Sequence, residues 1–238
     1  MVKGTRHDGR RAGELRPVSI TTGYVPTADG SCLMQMGQTR VICTASVTEG
    51  VPDWLAGAGR GWVTAEYGML PASTGKRKGR PVGRLDGRSA EIQRIIGRVL
   101  RSAVDMRRIG EVTIYLDCDV LTADGGTRTA AITGAWVAMA QAMARRRLPA
   151  RALGPPVAAV SVGIVGGRAV LDLDYAEDAD AEVDLNVAMT AGGRYVDIQG
   201  TGEGAPFDDA QLAAMLRLAR SGVRKLIAAQ RKAAKAIQ

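Results

Sequence analysis

The stretch that organises the chain reads Asp117-Cys118-Asp119-Val120-Leu121-Thr122-Ala123-Asp124-Gly125-Gly126-Thr127-Arg128-Thr129-Ala130. An apolar strand is predicted just before it, at residues 112–116, and an apolar helix just after it, at residues 127 to about 146. Two glycines at a strand-to-helix turn allow the backbone to bring its N–H groups close to a ligand. The first N–H groups of a helix attract an anion, and Arg128 adds a planar fork suited to phosphate oxygens. The stretch therefore predicts a phosphate-binding cradle.

The same residues also fit an ordinary turn. Residues 124–127 have a common turn composition with a threonine N-cap, and a pair of glycines does not by itself identify a ligand. The stretch alone leaves both interpretations open. A Walker A loop is excluded, because the sequence contains no Gly-x-x-x-x-Gly-Lys-Ser/Thr.

The composition describes a basic chain with enough apolar residues for a sizeable core. The 238 residues are 46% hydrophobic and carry a formal net charge of +8, which favours a polyanionic partner such as nucleic acid. Codon bias toward Arg, Ala and Gly would explain the same charge. No window approaches the roughly 18 uninterrupted apolar residues of a membrane span, and no apolar run follows the first charges. We therefore expect a cytoplasmic protein without a membrane partner.

The cysteines and the histidine limit the chemistry. Cys32, Cys43 and Cys118 are far apart in sequence and form no CxxC pair, so we predict buried thiols and neither a disulfide framework nor a zinc site. His7, the only histidine, lies in residues 1–16, where polar and basic residues predict a flexible or loosely docked start and a solvated imidazole. A Ser-His-Asp triad or a multi-histidine metal site would need a histidine elsewhere.

Hydrophobic periodicity predicts one domain, residues 1–238, with two similar halves at about 1–150 and 151–238. In the first half, strands are predicted at 17–24, 31–36, 40–47 and 61–67, followed by an amphipathic helix that carries Ile92, Ile96 and Val99. In the second half, strands are predicted at 157–165, 168–173, 183–190 and 194–199, and a long helix starts near Asp208. Strands followed by a helix, twice over, indicate a duplicated α+β fold, although no residue-level repeat is visible.

Residues 72–88 have a different character, because basic side chains, glycine and proline dominate them. The segment has one acidic residue, Asp86, and the basic residues Lys76, Arg77, Lys78, Arg80, Arg84 and Arg88. Such a composition cannot bury a core and predicts a mobile loop. We expect the loop to hold an RNA or DNA backbone by charge, since it has no aromatic side chain for base stacking. A solvated loop without a partner is the alternative. Arg88 also opens the next helix and gives a second anion position.

Residues 175–186 form an acidic segment in this basic chain. Five carboxylates fall within the eight residues 177–184. Crowded carboxylates repel one another unless a cation lies among them, and Mg²⁺ is commonly held by one or two carboxylates together with substrate phosphate. We expect Asp184 to be fixed at the start of a strand while Asp178 approaches from a loop. A solvated acidic turn is the alternative.

Six stretches follow one another in an order that matches a known family. They are residues 16–18, 38–46, 61–71, 87–94, 117–130 and 199–204. Each stretch is weak alone, but their order and combined length, over nearly the whole chain, resemble the ribonuclease PH family. The resemblance implies an α+β fold of duplicated βαβα type, similar to ribosomal protein S5 domain 2, with mixed sheets packed against helices.

The resemblance also implies an activity and an assembly. The family degrades RNA from 3′ to 5′ by phosphorolysis, chiefly at the 3′ ends of tRNA precursors, and releases nucleoside 5′-diphosphates in a reversible reaction. RNA, above all the tRNA 3′ end, is thus the expected partner, in a homo-hexamer built as a trimer of dimers. Mg²⁺ or Mn²⁺ is the expected cofactor, and inorganic phosphate is the expected co-substrate.

Site residues follow from the matching motifs. Phosphate binding is implied at Arg88, Gly126, Thr127 and Arg128. The acidic pair of the family, thought to hold the metal, falls on Asp178 and Asp184, one of which would act as an acid toward the leaving oxygen. With Arg128, this pair makes up the implied catalytic set.

The RNA-gripping arginines of the family fall on Arg77 and Arg80. Ala72 stands where relatives often place an arginine, which would weaken the grip or shift it to Lys76 and Lys78. Two rival functions stay open. A ring subunit that binds RNA without cutting it would be free to lose the arginines or aspartates that this chain retains. A hydrolytic nuclease would attack with water, and its nucleophile would need no anion cradle.

Overall fold

The structure of the protein is a computed structural model that describes residues 6–80, 86–204 and 206–235. Alternating and β-branched residues form the first sheet, with strands β1 (Val18–Thr22), β2 (Gly30–Met36), β3 (Thr39–Glu49), β4 (Trp62–Met69) and β5 (Val112–Thr122). Their order is β1-β2-β3-β5-β4, and only β4 and β5 pair in parallel. A parallel pair needs a crossover, and helix α1 (Gly87–Arg101) lies in that connection.

The second sheet is antiparallel throughout. Its strands are β6 (Val157–Val165), β7 (Arg168–Leu171), β8 (Val183–Thr190) and β9 (Tyr195–Gly202), in the order β7-β6-β8-β9. A short helix, α3 (Tyr175–Ala179), joins β7 to β8. A long helix, α4 (Asp209–Lys235), follows β9 and packs on β6 and β7.

Helix α2 (Thr127–Arg145) lies between the two sheets. It contacts β2 and β3 on one side and β6 on the other, so almost all of its faces are buried, as its composition predicts. Small residues allow the close approach: a Cβ on Gly134 would stand only 2.7 Å from Cys43 Sγ. Because both sheets pack against α2, the N-terminus of this helix has a fixed position in the molecule.

The predicted α+β class is confirmed, and the predicted strands are present with shifted ends. β5 continues to Thr122, so residues 117–122, which we expected to follow the strand, belong to it. Their alternation is the reason, since Cys118 and Val120 point into the core while Asp117 and Asp119 point away. β7 ends at Leu171 and not at residue 173, because Asp172 takes a left-handed backbone conformation with φ of 57°.

The prediction of a loose start was wrong for residues 6–16. Arg10 and Arg16 are only 9% and 5% exposed, and both pair with the buried Asp172. His7 is half exposed, yet its Nε2 lies 2.7 Å from Asp174 Oδ2. Arg16 and Asp172 are 156 residues apart along the chain, so local composition contains no sign of the partner. Residues 1–5 lie outside the described residues.

All three cysteines are buried free thiols, as predicted. Although distant in sequence, they form one row beneath α2, because Cys32 pairs with Cys43 across β2 and β3, and Cys43 pairs with Cys118 across β3 and β5. Hydrogen bonding with the two neighbouring thiols, together with burial, raises the pKa of Cys43 well above its usual range. Among the helices of the described ranges, none combines the length and the apolar character needed to cross a membrane.

Candidate active site

A cleft of about 670 Å³ opens where the N-terminus of α2 meets the second sheet. Residues from seven separate parts of the chain line it, and those predicted to function are Lys76, Lys78, Arg88, Gly126, Thr127, Arg128, Asp178 and Asp184. Both predicted anion positions and both aspartates therefore face one space. Arg77 and Arg80, the two arginines that the family resemblance implied for RNA contact, are exposed but do not line the cleft.

The cradle turn, residues 124–126, depends on its two glycines. Gly125 and Gly126 have φ of 72° and 65°, a left-handed conformation that is costly for other residues. A Cβ on Gly125 would also lie 2.6 Å from the carbonyl carbon of Asp174, inside the backbone that leads into α3. The turn thus requires glycine both for its conformation and for its contact with the opposite wall.

The first turn of α2 presents backbone N–H groups and Arg128 to the cleft. Its first helical hydrogen bond runs from the N–H of Ala130 to the carbonyl of Gly126, so the preceding N–H groups lack intrahelical partners, as at any helix start. The Thr127 hydroxyl is shared with the buried Tyr67 hydroxyl at 2.8 Å. The backbone N–H of Thr127 has no intrahelical partner and is the group of this residue that suits the predicted phosphate role.

Arg88 enters the cleft from the first turn of α1. Asp86 caps that helix by accepting from the N–H of Ser89 at 2.9 Å and from its hydroxyl at 2.8 Å. Burial raises the pKa of Tyr67, and the positive charges of Arg88 and Arg128 oppose that rise. Both guanidinium groups therefore affect the pKa of Tyr67, so their positive charges lie in one region of the site.

Asp184 is the second residue of β8 and is half-buried. Its Oδ2 accepts from Asn186 Nδ2 at 3.1 Å, while its buried Oδ1 accepts no hydrogen bond from any described residue. Burial, followed by the negative charge of Asp178, raises the pKa of Asp184 to about 6. A buried carboxylate oxygen that accepts no hydrogen bond and lies near a second negative charge fits a hard divalent cation, with Asp178 as the second ligand.

Asp178 lies in helix α3, so the expectation of a loop was wrong. The reason is a capping box, in which Asp174 accepts from the N–H of Glu177 at 3.1 Å and Glu177 accepts from the N–H of Asp174 at 3.2 Å. Partial burial raises the pKa of Asp178, and the charges of Arg88 and Arg128 counteract it. The aspartate therefore stands within the field of both arginines.

Three arginines near the N-terminus brace the two walls of the cleft. Arg16 donates to the carbonyl oxygens of Asp124 and Gly125 in the cradle turn, and its guanidinium lies 2.6 Å from Asp172, which precedes the N-cap of α3 by two residues. Arg6 and Arg10 both pair with Glu177, and they donate to the carbonyl of Asp172 at 2.9 and 2.8 Å. The cradle and α3 are thus joined through the same segment.

His7, Asp174 and Glu177 form a compact cluster with ligand atoms within 4.8 Å of one another. Arg6 pairs with Glu177, and Arg10 pairs with both carboxylates. Their positive charges already offset those carboxylates, so we interpret the cluster as the ionic anchor of α3 and not as a metal centre.

Sequence reasoning missed Ser161, Tyr175 and Asn186, which also line the cleft. Two of them carried a signal. Asn186 follows Asp184 by two positions in a strand and so shares its face, and Tyr175 precedes Asp178 by three positions in a helix. Ser161 had no local signal, because only the pairing of β6 with β8 brings it to the cleft.

Two helix N-termini with arginines and a pair of aspartates line one cleft on a two-sheet α+β fold, a combination that suits phosphoryl transfer. Residues 14–144 match the model of the 3′ exoribonuclease family, domain 1, and residues 155–222 match that of domain 2. Ribonuclease PH of Solibacter usitatus (strain Ellin6076) is 54% identical over 232 residues, which cover 95% of this chain and 98% of that protein. The chain belongs to the ribonuclease PH family of phosphorolytic 3′-to-5′ exoribonucleases.

Solved structures share the fold at low identity. A chain of the Archaeoglobus fulgidus exosome with RNA bound to the active site has a TM-score of 0.79 and 23% identity, over 93% of this chain and 91% of that one. Rice (Oryza sativa) Rrp46 has a TM-score of 0.80 and 17% identity, over 97% of this chain and 100% of that one. At such identities the likeness establishes the fold alone.

Proposed function

We propose that this protein shortens RNA by transferring its 3′-terminal nucleotide to inorganic phosphate in the cleft just described. The observation that carries the proposal is that Arg88, Arg128, Asp178 and Asp184 line one space. Orthophosphate that attacks a phosphodiester brings two anions together, so the site must offset their repulsion. The arginines and the first turn of α2 supply the positive charge and N–H groups for that task.

The proposed reaction exchanges one phosphorus–oxygen bond for another. An oxygen of orthophosphate forms a bond to the phosphorus between the last two nucleotides, while the bond from that phosphorus to the 3′ oxygen of the penultimate nucleotide breaks. The electron pair stays on the 3′ oxygen, which takes up a proton. The products are a nucleoside 5′-diphosphate and an RNA shorter by one nucleotide, and the reverse reaction adds a nucleotide.

Arg88 and Arg128 would hold the orthophosphate, with the N–H groups of Thr127 and Arg128 beside them. Asp178 and Asp184 would hold Mg²⁺ or Mn²⁺, and such a cation stabilises charge on the transferring group and on the departing oxygen. With a pKa of about 6, Asp184 is largely ionised at neutral pH and is thus available as a ligand. Asn186 donates to one of its oxygens and fixes its orientation.

We propose trimming of tRNA precursors by a homo-hexamer, a trimer of dimers, in the cytoplasm. The 54% identical relative named ribonuclease PH supports the substrate class, and a structural neighbour named archaeal exosome core supports an assembly. Exposed aromatic residues such as Trp54, which is 64% exposed, are consistent with subunit contacts. The buried free thiols fit a reducing compartment.

One assay tests the activity against both rivals. The protein is incubated with a tRNA that bears extra 3′ nucleotides, with Mg²⁺ or EDTA, and with or without phosphate. Nucleoside diphosphates that appear only with phosphate and metal support the proposal. Nucleoside monophosphates would indicate hydrolysis, and RNA binding without any product would indicate a binding subunit.

A further inference from the structure

Tyr175 is an aromatic side chain on the rim of the cleft that core packing does not explain. It is 68% exposed, more than any other aromatic residue of the described chain. Aromatic residues make up only 4% of the sequence, and Tyr175 is the one aromatic among the described residues that line the cleft. A large apolar ring held in water beside a charged site is available for a ligand.

The ring stands on a firmly held element. Tyr175 is the first residue of α3, whose capping box fixes the helix start. Its N–H donates to Asp124 Oδ1 at 3.4 Å, which links it to the cradle turn, and Arg6 pairs with Glu177 two residues further on. An anchored backbone lowers the entropic cost when the ring meets a ligand.

The position of Tyr175 relative to Asp178 identifies the ligand. Residues three apart in a helix are neighbours on its surface, with Cβ atoms about 5–6 Å apart. If Asp178 faces the scissile phosphodiester, the ring lies near the two nucleotides that the phosphodiester joins. The cleft, at about 670 Å³, has room for a nucleotide as well as for orthophosphate.

We propose that Tyr175 is the stacking surface for the base of one of the two nucleotides that flank the scissile phosphodiester. This proposal rests on the proposed function. An exonuclease that removes successive nucleotides has to accept every base, and stacking does so because each base has a π-face. The basic segment at residues 72–80 contains no aromatic residue. The aromatic surface of the cleft therefore comes from α3, the helix that joins two strands of the second sheet.

The test uses single-stranded RNA oligonucleotides that carry all bases or lack one base, at the terminal or at the penultimate position. With complete RNA, Tyr175→Ala should raise the KM for RNA by roughly 10- to 100-fold, the range expected for one lost stack. The KM for phosphate should not change. Tyr175→Phe and Tyr175→Trp should retain wild-type values, whereas Tyr175→Leu, apolar but not aromatic, should behave like Tyr175→Ala. Tyr24→Ala, at an exposed tyrosine outside the cleft lining, is the matched control.

The abasic substrates decide the outcome. On one of the two abasic RNAs, the KM values of wild type and Tyr175→Ala should become equal, because that RNA lacks the base that would stack on Tyr175. A defect that persists on both abasic RNAs, or a Tyr175→Leu variant as active as Tyr175→Phe, would overturn the proposal. RNA affinity measured by fluorescence anisotropy without phosphate gives the same comparison without turnover. If the wild type makes no diphosphates, the proposed function fails, and the anisotropy series still decides the stacking.

Discussion

The two walls of the cleft are built in different ways. The cradle wall, residues 124–128, is a continuous segment whose glycines and helix start form the anion site through local geometry. The acidic wall, α3 and the start of β8, holds Asp178 and Asp184 close together against their mutual repulsion. It is kept in place by Arg6 and Arg10, which lie more than 160 residues away in sequence. The cradle wall therefore depends on conformation, and the acidic wall depends on long-range ion pairs.

Removing charge from the cradle wall should have the largest effect. Arg128→Ala should lower phosphorolysis by about 10²–10³-fold, the usual cost of one preorganised donor at a site of developing charge. The fold should persist, because the backbone of the turn does not need this side chain. Diphosphate release measured by chromatography tests the rate, and circular dichroism tests the fold. Arg107→Ala, at an exposed arginine outside the cleft lining, is the control and should retain activity. Near-normal turnover in Arg128→Ala would refute the role.

Removing charge from the acidic wall should have effects of opposite sign on activity and stability. Asp184→Asn should lower activity by about 10²-fold, the low end for lost transition-state stabilisation. In EDTA it should raise the free energy of unfolding at pH 7 by about 1–2 kcal/mol, since the rise in pKa from 3.8 to about 6 corresponds to about 3 kcal/mol and water screens part of it.

The pH dependence of stability provides a check on the same variant. The pKa of Asp184 is raised in the folded state to about 6 from its ordinary value of 3.8. Folding therefore favours the protonated form, and this group adds stability as the pH falls through about 6 toward 4. Urea unfolding in EDTA should show this gain in wild type and in the control Asp180→Asn, at an exposed residue of the same acidic segment. If Asp184→Asn showed the same gain in stability at low pH, the gain could not be assigned to Asp184.

Arg16 connects the two walls, so its loss should affect both. Arg16→Ala removes the closer of the two guanidinium partners of the buried Asp172 and leaves Arg10 at 3.6 Å, which should cost up to about 3–5 kcal/mol of stability. It also releases the carbonyls of Asp124 and Gly125, so the KM for phosphate should rise about 10-fold or more, as when a supporting hydrogen bond is lost. Arg16→Lys should restore part of the stability but not the phosphate KM, since one ammonium cannot reach both walls. If Arg16→Lys restored the stability and the phosphate KM equally, the role of Arg16 would be structural only.

The contrast between the walls also explains what could be read from the sequence. Gly125, Gly126 and Arg128 form a local pattern, so the strand-to-helix turn with two glycines and the start of α2 are confirmed, while phosphate binding there stays a prediction. The ends of Arg16 and Asp172 meet only in the folded chain, so the N-terminal segment was misread as loose. The helix around Asp178 is hard to predict because its capping box, Asp174 with Glu177 three residues later, lies among other carboxylates that resemble a solvated acidic turn.

The smallest expected effect concerns the basic segment, in which two of the four residues predicted to contact RNA line the cleft and the other two do not. Lys76 and Lys78 line the cleft, whereas Arg77 and Arg80 do not. Lys78→Ala should therefore weaken RNA binding uniformly across sequences and reduce the slope of log affinity against log salt by about 1, as for one lost phosphate contact. Arg77→Ala should change that slope less, and a titration of RNA at several salt concentrations compares them. A larger loss for Arg77→Ala would indicate that RNA runs outside the cleft along the exposed side of the segment, and that the acidic and cradle walls contact only its last nucleotides.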